Sequence, residues 1–152
     1  MTDQKKPPAW EDMTHPSDIA VSLDMARRLK EADWPQGKTD YYYVYQRGDW
    51  DLYQDCNCDQ CWTRSSFRTK CDAPTAEEIL RRLPTTIEVP PNDDEHRSFW
   101  LTIRHTTVGP NHEKQWHVWY ENHDENWIQS ESSLANAAAA MWIYLKQYSL
   151  IP

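Results

Sequence analysis

The sequence predicts an α+β fold: an antiparallel sheet of four to six strands with helices mainly on one face. Three observations carry this. Helical periodicity recurs near the start, in the middle and at the end of the chain. Alternation of period two fills the stretches between. The strand-forming stretches are joined by short turns, as in hairpins, and not by repeated βαβ crossovers. At 152 residues the chain has the size of one ordinary domain and can bury a real core.

Residues 1 to 16, broken by "KKPP" and "THP", predict a flexible arm, and residues 17 to 152 a single domain. "VSLDMARRLKEADWPQG" predicts the first helix. Ser22 serves as its N-cap and Asp24 lies in the first turn, where the helix dipole favours an acid. Leu23, Ala26, Leu29 and Ala32 share one face, and Pro35 and Gly37 end the element. "DYYYVYQRGDWDLYQD" is rich in strand formers and broken at Arg47-Gly48-Asp49, which predicts a hairpin. "APTAEEILRRLP" opens with a capping box, Thr75 and Glu78, buries Ile79, Leu80 and Leu83, and stops at Pro84.

The strands come next. "TTIEV" is a short one. In "RSFWLTIRHT", Phe99, Leu101 and Ile103 point one way and Trp100, Thr102 and Arg104 the other. In "KQWHVWYEN", Trp116, Val118 and Tyr120 oppose His117, Trp119 and Glu121. Asn126 to Gln129 adds a last strand, and "SSLANAAAAMWIYLKQY" closes the chain as a helix. Its apolar stripe is Leu134, Ala138, Met141, Leu145 and Tyr148. The expected core is Leu101, Ile103, Trp116, Val118, Leu134, Met141 and Leu145.

The chain holds 16 Lys and Arg against 24 Asp and Glu, a net charge of −8. After Pro84 there are 4 bases against 9 acids, so the C-terminal half is the more acidic in proportion. Such a protein is repelled by nucleic-acid backbones and suits neutral or basic partners. The polar N-terminus has no apolar signal core, and no apolar run approaches the roughly 20 residues of a membrane span. The expected compartment is therefore the cytoplasm, with no membrane partner. Nine Trp and eight Tyr against two Phe favour aromatic side chains with polar tips, the type enriched at binding surfaces.

All four cysteines fall in "DCNCDQCWTRSSFRTKC", a hairpin insertion at 55 to 72. Cys56, Cys58, Cys61 and Cys71 are candidate ligands for one structural zinc, since four thiolates satisfy its tetrahedral preference and leave no open position for catalysis. Reduced free thiols and disulfides are the alternatives, the latter disfavoured in a reducing compartment. Trp62, Arg64, Phe67, Arg68 and Lys70 interleave cations with aromatics, the pattern of a single-stranded nucleic-acid finger, although three bases are few for that role.

The order "SLDMARRLKEADWPQG", an aromatic strand, "APTAEEILRRLP", a strand-rich stretch and "SLANAAAAMWIYLKQ" resembles a family of small uncharacterised phage and prophage proteins, over roughly residues 19 to 148. The family carries no assigned activity, so the resemblance implies a genomic context and no mechanism. The cysteine segment departs from its pattern.

Catalytic motifs are missing from the sequence: there is no HExxH, nucleophile elbow or P-loop, and only 3 Gly. His105, His117 and Glu121 are the one combination the strands could bring together, although a histidine on an alternating strand is more commonly a packing residue. The expected function is a phage-encoded interaction module that inhibits a host defence or regulatory complex. A zinc-stabilised nucleic-acid binder and an unrecognised enzyme are the alternatives. The expected docking residues are Trp100, His117, Trp119, Glu121 and Tyr43, on the sheet face opposite the helices. The N-terminal arm, with Trp10, and a second copy of the chain are the other candidates to cover that face.

Overall fold

A computed structural model of the chain describes residues 19–55, 67–89 and 97–152. The N-terminal arm, Trp10, and the cysteine segment from Cys56 through Ser66 lie outside the described residues.

The fold is α+β, with two antiparallel sheets and three helices of a turn or more among the described residues. Helix α1 (Leu23–Glu31) begins at Ser22, whose hydroxyl accepts from the Met25 amide at 3.3 Å, and it buries Met25, Ala26 and Leu29. Strands β1 (Tyr41–Gln46) and β2 (Asp49–Gln54) form the expected hairpin. Arg47 and Gly48 both take positive φ, 54° and 85°, as a two-residue turn matched to the strands' right-handed twist requires. The chain returns as β3 (Lys70–Asp72), which pairs with the other edge of β1 and completes a three-stranded sheet in the order β2-β1-β3.

Helix α2 (Ala76–Leu80) starts with the capping box the sequence predicts. Thr75 Oγ1 accepts from the Glu78 amide at 3.2 Å, and Glu78 Oε2 accepts from the Thr75 amide at 2.7 Å. The other oxygen of Glu78 accepts from the Asp40 amide at 2.9 Å, so one carboxylate caps α2 and holds the entry to β1. Asp72 does a similar job in the loop after α1. Its Oδ2 is buried and accepts from the amides of Gly37 (2.6 Å) and Lys38 (3.3 Å). Backbone donors make burial of that polar group tolerable.

The second sheet has the order β4-β5-β6-β7, built from β4 (Thr86–Val89), β5 (Arg97–Val108), β6 (Glu113–Glu121) and β7 (Asn126–Glu131). Its four strands fall within the expected count. The hairpin strands form a sheet of their own. Helix α3 (Leu134–Gln147) packs on β6 and β7 with one side and against α1 and α2 with the other. It is buried all round and not along a single stripe. Ala135, Ala137 through Ile143, and Leu145 are all buried, while Tyr148, just beyond the helix, is 64% exposed. Short alanine side chains let two layers approach the helix closely on opposite sides.

The phase expected for β5 and β6 holds. Phe99, Val118 and Tyr120 are buried, and Leu101, Trp116 and Leu134 pack against the core half-buried. The Tyr120 hydroxyl donates to the Pro84 carbonyl, and burial raises its pKa. Ile103 departs from expectation at 39% exposed. Twelve residues of strand extend about 40 Å, whereas fourteen of helix cover about 21 Å. The distal half of β5 therefore overhangs the helical layer.

These burials set the ranking of two truncations. Met141→Ala is expected to cost about 2–5 kcal/mol by urea denaturation, since it opens a cavity between layers. Tyr148→Ala is expected to stay within about 0.5 kcal/mol of wild type, as an exposed position should.

Candidate functional site

Among the described residues, the helices cover one face of the four-stranded sheet and leave the other bare. Alternation sends Trp100, Thr102, Arg104 and Thr106 of β5 outward, with His117, Trp119 and Glu121 of β6 and Ile128 and Ser130 of β7. Register then brings them together: Trp100 lies opposite Glu121, Thr102 opposite Trp119, and Arg104 opposite His117. On the next ladder, Trp119 lies opposite Ile128 and His117 opposite Ser130. Trp100 is 47% exposed and Ile128 50% exposed.

Polar contacts hold this face in order. His117 Nε2 sits 2.7 Å from Thr106 Oγ1 and Nδ1 2.6 Å from Ser130 Oγ. A neutral imidazole donates from one nitrogen and accepts at the other, and a hydroxyl can serve either role, so His117 ties three strands together in either tautomer. The Arg104 guanidinium stands 5.9 Å from the Trp119 ring centre, a cation–π contact across the ladder. Glu121 Oε1 accepts from Thr102 Oγ1 at 3.3 Å.

Four of the five docking residues named from the sequence therefore share one surface: Trp100, His117, Trp119 and Glu121. Tyr43 does not join them. It lies in the other sheet, packs toward the core, and donates its hydroxyl to the Val21 carbonyl at 3.0 Å. The tyrosine run does present side chains to both faces of β1, and neither face joins the outer surface of the four-stranded sheet: Tyr41 and Tyr43 pack toward the core, while Tyr45 is 46% exposed on the three-stranded sheet. Tyr42, on the opposite side from Tyr43, is fully buried against Tyr53 and Phe67.

The combination of His105, His117 and Glu121 does not form. His105 points to the other face of the sheet and lies against Trp116, with ring centres 4.5 Å apart. Arg104, Thr106, Ile128 and Ser130 are surface members that sequence reasoning did not single out. The signal for Arg104 was present in its alternation with Ile103. That for Ile128 and Ser130 was weak, because β7 mixes polar and apolar residues on both faces.

Of the four candidate metal ligands, Cys56, Cys58 and Cys61 lie outside the described residues. Cys71 is buried in β3, with its Sγ 3.9 Å from the Asp72 carbonyl. Among the described residues no group of three or more His, Cys, Asp or Glu is placed to hold a metal. Nor is any helix among them long and apolar enough to cross a membrane.

Two hollows flank the four-stranded sheet, the first beside the bare face and the second on the helix-covered side. A cleft of about 400 Å³ is lined by Arg97, Ser98, Trp100, Asn122, His123 and Asp124, among others. A groove of about 860 Å³ lies under the overhang of β5, between His105, Trp116, Tyr41 and the start of α3. Compared with known proteins, the chain matches no family model, no curated protein and no solved structure.

Burial raises the pKa of the Cys71 thiol, with Asp72 adding to the shift and Lys30 and Arg27 opposing it. Burial likewise raises that of the Tyr43 phenol, and the neighbouring Cys71 adds to it. Both groups ionise more readily in the unfolded chain. Their contribution is intact below the ordinary thiol value of about 8.5 and declines as pH rises above it. Stability is thus expected to fall in alkaline buffer, and Cys71→Ala to flatten the first part of that fall. In native protein Cys71 is expected to resist a thiol reagent such as DTNB until denaturant is added. Rapid labelling of Cys71, located by peptide mapping, would contradict its burial.

Proposed function

We propose that this chain is a protein-interaction module that docks a basic partner protein on the outer face of its four-stranded sheet. The exposure of Trp100 and Ile128 on a face that no described helix covers carries the reading. Contiguous apolar surface rimmed by polar groups is the common signature of a binding site, and tryptophan is prominent among residues that anchor interfaces. The acidic balance supports a basic partner, which the protein's field would both attract and orient. The resemblance to phage and prophage proteins supplies the setting, a host cell, and the acidic charge suggests the role, inhibition of a host complex. There, carboxylates would occupy a surface that otherwise meets nucleic-acid phosphates.

Trp119→Ala tests the reading. It removes one cross-strand ring and the seat of Arg104, at an expected stability cost of about 1 kcal/mol. The expected result is a mutant that folds but no longer captures, from host extract, the basic proteins that wild type retains at low salt. Capture of the same proteins by the mutant would refute the face as the site. A wild-type dimer that Trp119→Ala converts to monomer, seen by light scattering, would instead assign the face to a second copy of the chain.

A further inference from the structure

Tryptophan rings in this protein are repeatedly partnered by cations of the chain itself. Arg27 stands 5.1 Å from the centre of Trp50, Arg82 5.0 Å from Trp34, Arg104 5.9 Å from Trp119, and Lys146 5.5 Å from Trp142. Trp100 is the exception on the bare face. Among the described residues no cation lies over its ring. His123 meets it at a steep angle, 68° between planes with centres 6.2 Å apart.

The surroundings of Trp100 are anionic. Its cleft is lined by Asp124 and Glu125 as well as by Asn122, His123, Ser98 and Arg97. The one lining arginine is already engaged, with Arg97 Nη1 2.9 Å from Glu125 Oε1, so those two charges offset each other. Asp124 remains. Glu121 lies directly across the ladder from Trp100, and Glu88 lies across from Ser98 on the other side. The rim of the β6–β7 turn is held in shape by Asn122, whose Oδ1 accepts from the amides of Asp124 (2.9 Å) and Glu125 (2.7 Å).

We infer that the Trp100 cleft is a subsite for a cationic side chain, an arginine or lysine presented by the basic partner. The indole face is the strongest aromatic seat for a cation, and carboxylates beside it offset the charge as water is displaced. This rests on the outer face being a docking surface and adds to it the chemistry of one anchor.

The test uses the full-length protein, an oligo-arginine peptide and its citrulline counterpart of equal length, compared by titration calorimetry. Wild type is expected to bind the arginine peptide and to bind the citrulline peptide far more weakly. Trp100→Ala leaves net charge unchanged and is expected to weaken arginine-peptide binding about five- to thirty-fold, the span of a partly desolvated cation–π contact. Trp100→Phe is expected to restore part of the loss. The double variant Glu121→Gln, Asp124→Asn weakens binding without removing an aromatic, and guards against a folding defect in Trp100→Ala. Failure of wild type to bind the arginine peptide, equal binding of both peptides, or binding indifferent to Trp100 overturns the subsite. If Trp119→Ala still abolishes partner capture in that event, the docking face stands without it. If Trp119→Ala has no effect on capture either, both readings fall.

Discussion

The burial of α3 on every side is the constraint on which the rest of the molecule depends. Nine of its fourteen residues are buried, and five of those nine are alanines. A helix with larger side chains all round would hold its neighbours apart. Here the four-stranded sheet can close on one side while α1 and α2 close on the other. The N-termini of the two longer helices are tied at the same place. Ser133 caps α3 by accepting from the Asn136 amide at 3.1 Å, and Asn136 Oδ1 accepts from the Ser22 amide at 2.9 Å. The residue that caps α1 is thereby fastened to α3. Val21, its neighbour, donates to the Pro74 carbonyl and accepts from Tyr43, which draws in the first sheet and the entry to α2.

One consequence is the bare face. Because α3 is shared between layers, the helices gather on one side of the four-stranded sheet, and nothing described lies over the other. That face is ordered by its own cross-strand contacts and not by burial. The His117 bridge to Thr106 and Ser130 and the stacking of Arg104 on Trp119 fix side chains that would otherwise be free to move. A surface whose rotamers are already held loses less entropy when a partner docks. Trp100 lies toward the end of this face, next to a turn built by Asn122, where the aromatic surface gives way to carboxylates.

Local features were legible from the sequence because they are decided within a few residues. The Thr75–Glu78 box, the Ser22 cap, the positive-φ turn at Arg47-Gly48 and the alternation of β5 and β6 depend on neighbours three or fewer positions away, or on strand period alone. Placing Trp100, His117, Trp119 and Glu121 on one face required only the phase of two adjacent strands. The α+β class followed from the order of these elements.

Tertiary structure decided what depends on distant partners. The pairing of β3 with β1 splits the strands into two sheets, and it buries Cys71 beside Tyr43 on the core side. No local pattern marks that choice, because backbone pairing is blind to side-chain period between separate sheets. Ile103 continues the apolar alternation of Phe99 and Leu101 and is nonetheless exposed, since the reach of the helical layer, not the strand, sets where the core stops. Glu78 was legible as a cap, but its second bond to Asp40 depends on how the hairpin meets α2. The sequence by itself determined which elements form and which way their side chains face. Packing around α3 determined which of those faces are covered, because coverage is a property of layers brought together from across the chain.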